Sequence, residues 1–134
     1  ALTFFLTGCN EQGWAEDVPY TVATGYFTKN VPTAIKKSVI YSKSEFDSMF
    51  GAAATAKSVP TKIDFSKSFV IAVMQKSVDT EQTISPYALQ LSSGVLQFAY
   101  TINKGEKLSY TIAPLLIVVV SRDYADCEVG FFEM

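Results

Sequence analysis

The side chains that could do acid–base, nucleophilic or metal chemistry in this chain are carboxylates and two cysteines, and there is no histidine at all. That absence removes the commonest general base, the commonest metal ligand and every Ser-His or Cys-His dyad. Asp64, Asp79, Glu81, Glu106, Asp123, Asp126 and Glu128 are scattered along the sequence. A glycosidase-like acid pair would have to be assembled from separate loops, and nothing in the spacing requires one. Asp123-x-x-Asp126-x-Glu128 lacks the glycine and the ligand run of a cation-binding loop, so no metal or cofactor is expected. Asp64, inside Ile63-Asp64-Phe65-Ser66, reads as a turn residue whose carboxylate accepts backbone N–H bonds. Neither a P-loop, a GxGxxG, a CxxC nor a nucleophile elbow is present. No catalytic residue is therefore expected.

Cys9 closes an apolar opening stretch, and Leu6-Thr7-Gly8-Cys9 resembles the lipobox of bacterial lipoproteins. The resemblance implies cleavage before Cys9 and a diacylglycerol on its thiol. Residues 1–8 then read as a residual signal peptide, residues 9–18 as lipidated cysteine plus polar tether, and 19–134 as one domain. Trp14, the lone apolar bulk in that tether, is expected to cap the core. Cys127 has no histidine to activate it and reads as a buried structural thiol; a Cys9–Cys127 disulfide would require an unlipidated Cys9.

The elements that must position any site are mostly strands. Residues 69–74 form an unbroken apolar, β-branched run inside 63–75, as a strand buried on both faces would. Residues 115–120 form a second such run and should lie beside it. Residues 83–91 and 95–102 form a hairpin joined by Ser92-Ser93-Gly94, with Leu96, Phe98 and Tyr100 on the core face. Gly25 reads as a bulge in a strand over 20–27, residues 38–41 as a short strand, and 128–133 as the last. One helix is expected at about 43–51, with Ser42 and Glu45 as a capping box, Phe46, Met49 and Phe50 on its core face, and Gly51 as C-cap. The sum is a mainly β (α+β) domain: an antiparallel sheet of about seven strands, curled into a barrel or sandwich with one short helix.

Composition bounds the partners. Apolar residues at 49% against 18% charged exclude a disordered chain, and a net charge of −2 with no basic block excludes nucleic acid. A monomer is expected.

The order of elements is similar to that of the C-terminal domain of the protease-complex subunit PrcB. A strand and Ser-capped helix at Val39-Ile40-Tyr41-Ser42 lead to an Asp64-Phe65 turn entering a buried strand. A Pro-containing strand at Ala113-Pro114-Leu115-Leu116 follows later. Small secreted lipoproteins of Bacteroides-type bacteria look like this too. The resemblance implies a non-enzymatic module that binds another protein, a secreted protease being the implied class. The loop after the buried strand lacks the Gly-Tyr element of that family. Two loops are the expected contacts: Ser77, Val78, Asp79, Thr80, Glu81 and Gln82 in one, and Asn103, Lys104, Gly105, Glu106 and Lys107 in the other. Location follows as exported and lipid-anchored in the cell envelope, at the outer membrane or cell surface rather than the inner membrane. The alternatives are a small-molecule or glycan-binding barrel, and then a hydrolase using carboxylates alone.

Overall fold

A computed structural model describes residues 16–53 and 59–134. The chain runs through β1 (Glu16–Asp17), β2 (Tyr20–Ala23), β3 (Tyr26–Thr28), β4 (Lys36–Ile40), α1 (Lys43–Met49) and β5 (Phe50–Ala52). It continues through β6 (Ser68–Met74), β7 (Val78–Ser92), β8 (Val95–Ile112), β9 (Leu115–Ser121), a 3-10 turn at Arg122–Tyr124 and β10 (Glu128–Glu133). The expected class holds: the domain is mainly β with one α-helix among the described residues, and it forms no closed barrel.

The strands form two four-stranded sheets, in the orders β1-β7-β8-β10 and β2-β9-β6-β4, plus a β3-β5 ribbon. All pairs are antiparallel except β8–β10, which is parallel from Glu128↔Val95 to Glu133↔Tyr100. β6 lies between β4 and β9, with Phe69 opposite Val120 and Met74 opposite Leu115, so the two apolar runs are neighbours as their composition predicts.

Alternation along β6 makes it the middle of three layers. Phe69, Ile71 and Val73 point toward the β7–β8 sheet, where they meet Leu89, Leu96, Phe98 and Tyr100. Val70, Ala72 and Met74 point the other way, into a second core with Ile40, Phe46 and Phe50. Phe69 through Val73 are wholly buried, which explains why the run shows no polar residue: neither pleat face meets water. Each such Val, Ile or Phe contributes roughly 1.5–3 kcal/mol by leaving water.

The helix begins as its sequence indicates. The Ser42 side chain accepts from the Glu45 N–H at 3.1 Å, while the Glu45 carboxylate accepts from the Tyr41 N–H at 3.3 Å. Its end differs. Phe50 caps the helix with extended backbone, and Gly51 belongs to β5 rather than to a helical C-cap. The reason is local space: a Cβ on Gly51 would sit 2.4 Å from the Phe27 ring, which lies over it across the β3–β5 pair. Gly25 is likewise more than a bulge. Its φ of +89° turns the chain from β2 in one sheet to β3 in another. Val18 is buried, its N–H donates to the Leu89 carbonyl, and Glu16–Asp17 pair with β7, so these three residues of the polar stretch are part of the fold. The expectations for residues 1–8, Cys9 and Trp14 lie outside the described residues.

Candidate functional site

The two expected contact loops are not loops. Residues 78–82 open β7 and residues 103–107 lie inside β8, and the structure pairs them: Thr80↔Lys107, Gln82↔Lys104 and Thr83↔Asn103. Only Ser77 remains in the connection after β6. The charged run Asn103-Lys104-Gly105-Glu106-Lys107 resembles a turn by composition, yet it continues the ladder through irregularities of register between Val78 and Thr80 and between Thr80 and Gln82. Gly105 serves close packing there and not positive φ. A Cβ at Gly105 would fall 2.2 Å from the Glu81 carboxylate, which folds over the glycine.

The result is a two-stranded arm. β7 and β8 run for 15 and 18 residues against 7 each in β6 and β9, so the hairpin outruns the sheet that it packs on. The tip toward the core is well specified: Ser93 and Gly94 both take positive φ in a two-residue turn between Ser92 and Val95. Burial then stops at Ile84 on β7 and Tyr100 on β8, and no residue of 78–83 or 101–112 is buried. Among the described residues both outer edges are open along this length. β1 reaches β7 only at Gln90 and Leu91, and β10 leaves β8 at Tyr100, so among the described residues no third strand joins the arm.

The chemistry of the arm is polar and mixed in sign. Lys107 Nζ lies 3.4 Å from Asp79 Oδ2 across the pair, and the Gln75 amide donates to Gln82 Oε1 at 3.3 Å. Both partners of the ion pair are more than half exposed, so it sets register and charge pattern more than stability. Tyr110, 62% exposed, adds an aromatic that the loop expectation left out. No sequence signal marked it: the alternation Leu108-Ser109-Tyr110-Thr111-Ile112 would set Tyr110 on the half-buried face of Leu108 and Ile112, yet it is exposed where they are not.

The carboxylates do other work. Asp64 Oδ1 accepts from the Ser66 N–H at 3.0 Å and the Ser66 hydroxyl at 2.6 Å, the turn expected from its sequence. Those bonds hold its carboxyl below the usual aspartate range. Asp123 lies in the 3-10 turn, whose Ser121 cap accepts the Asp123 N–H at 3.2 Å. Among the described residues no three acidic or cysteine side chains gather closely enough to hold a metal ion.

Cys127 is buried, as expected, but it is disulfide-bonded and not a structural thiol. The missing histidine bore on its reactivity and was silent on its pairing. The sequence holds one other cysteine, Cys9, outside the described residues. Among the described residues no helix is long and apolar enough to cross a membrane. The chain matches no family model, no curated protein and no solved structure.

Proposed function

We propose that this domain is a non-enzymatic, exported module of the cell envelope that binds another protein along the open β7–β8 arm. The observation that carries the reading is the arm itself: a paired ribbon with no buried residue, exposed Lys, Asp, Glu and Tyr side chains and, among the described residues, two unpaired edges. Open strand edges pair with extended peptides through the backbone, and alternate side chains supply the specificity. A secreted protease is the first partner class to test, as the PrcB-like order of elements suggests. The chain's lack of histidine favours binding over catalysis.

The export proposal is supported by the disulfide at Cys127, since such bonds persist in oxidising compartments. Lipid anchorage through Cys9 is a separate proposal, because one sulfur cannot carry both a thioether and a disulfide. Intact mass without reductant, followed by thiol counting, distinguishes the two states.

The test of binding is capture by the domain of proteins secreted by the source cell, with an E81K/K104E double variant alongside. We expect a protein bound at micromolar concentration by the wild type and weakened at least about tenfold by the variant. Equal capture by both, or none by either, sinks the reading.

A further inference from the structure

On the opposite layer from the arm, α1, β5 and residues 60–65 enclose a cleft of about 420 Å³. Its wall is aromatic. Tyr26 meets Phe46 edge-on at 5.0 Å, and Phe50 and Phe65 flank the same ring at 4.9 and 5.7 Å. Lys43, Asp47 and Lys62 stand in the lining with them. We propose that this cleft is a binding site for a small aromatic carboxylate of one or two rings.

Three observations carry the proposal. First, the cleft is pre-formed, because the strap over 60–65 is pinned at both ends. The Tyr26 hydroxyl donates to the Thr61 carbonyl at 2.5 Å, and the Thr61 N–H donates to the Thr24 carbonyl at 3.0 Å. At the other end Arg122 Nε donates to the Phe65 carbonyl at 2.7 Å. A wall held from two sides loses little entropy when a ligand enters. Second, the size lies at the low end of ligand pockets, roughly 300–1,000 Å³, and Tyr26 and Phe65 keep partial exposure for a planar ligand to contact, while Phe46 and Phe50 are buried core rings behind that surface. Third, the charges do not cancel. Lys43 is neutralised by Asp47 at 2.6 Å, whereas Lys62 has no ion pair among the described residues. One uncompensated ammonium beside aromatic walls matches a ligand with one carboxylate and an aromatic body.

Heteronuclear NMR of the 15N-labelled protein tests this with 2-naphthoate and the neutral 2-naphthalenemethanol as probes. Saturable shifts are expected at Tyr26, Phe46, Lys62 and Phe65, with the acid bound about threefold more tightly than the alcohol. Lys62→Ala should abolish that ratio while leaving the spectrum dispersed. Ala52→Trp, at an exposed position of the lining, should block both probes. No saturation up to about 5 mM naphthoate overturns the site. Equal affinity for the two probes, or a ratio that survives Lys62→Ala, overturns the ligand class.

Discussion

Arg122 and Thr28 bear on stability in opposite directions, and neither does so in proportion to its exposure. Arg122 is exposed, yet its guanidinium donates to the Phe65 carbonyl at 2.7 Å and to the Tyr41 carbonyl, while its own N–H donates to the Lys67 carbonyl at 2.9 Å. It ties the start of β6 to the segment before α1, where Tyr41 stacks on Phe69 at 5.5 Å. Arg122→Ala should cost about 1–2 kcal/mol in urea unfolding, and Arg122→Lys should recover less than half, since an ammonium lacks the planar fork. A lysine that restored full stability would mean that charge alone mattered. Thr28 is the reverse case. It is 7% exposed, and its hydroxyl has no hydrogen-bond partner. Thr28→Val keeps the shape and the strand preference and removes the unmet polar group. A gain of about 1 kcal/mol is expected, and a loss would show that the hydroxyl has a partner in solution.

At the scale of elements, glycine conformation and close approach decide how the three layers join. Gly25 takes φ +89°, and a Cβ there would lie 2.7 Å from the Pro60 Cα, a backbone atom that cannot swing aside. Gly25→Ala should therefore cost about 2 kcal/mol or more. Gly51 looks worse by distance, with a Cβ 2.4 Å from Phe27, but that ring is 49% exposed and free to rotate outward. Gly51→Ala should cost less than half as much in the same urea experiment. The reverse order would show that the ring contact, not the left-handed backbone, governs this corner. Much of this level was legible in the sequence. Continuous β-branched runs located β6 and β9, because a strand buried on both faces has no polar side to display. The Ser42–Glu45 spacing located the helix start, because a cap is a local bond. The arm was not legible, because composition marks charged residues as loop whether or not they are paired, and pairing between residues 80 and 107 is not a local property. The aromatic cleft was hidden for the same reason: Phe46 and Phe65 read separately as core and turn, and only the fold puts them 5.7 Å apart.

The layers also share a titration that reports on the whole molecule. Tyr26 lies on β3 in the helical layer, Tyr100 on β8 in the β7–β8 sheet and Tyr124 in the 3-10 turn. Burial raises the phenol pKa of all three above its ordinary value of 10.0, and nearby carboxylates add to this: Asp47 for Tyr26, Glu133 for Tyr100, Glu16 and Asp123 for Tyr124. Lys43 opposes the rise at Tyr26. A raised phenol pKa means that the folded state keeps its proton while the unfolded chain loses it. The contribution to stability is then complete below the unfolded pKa and is lost as pH rises through the folded values. The urea midpoint should hold steady below about pH 10 and fall as pH rises beyond it. Absorbance at the phenolate band should show Tyr26, Tyr100 and Tyr124 ionising later in the native protein than in urea. Asp47→Asn should advance Tyr26 alone, because Asp47 acts on no other tyrosine of the three. If the layers unfold as one cooperative unit, the late ionisation of all three coincides with loss of structure. Release of Tyr26 ahead of Tyr100 and Tyr124 in the wild type would instead mean that the layer carrying the aromatic cleft opens by itself, the behaviour expected of a ligand site resting on a more rigid sandwich.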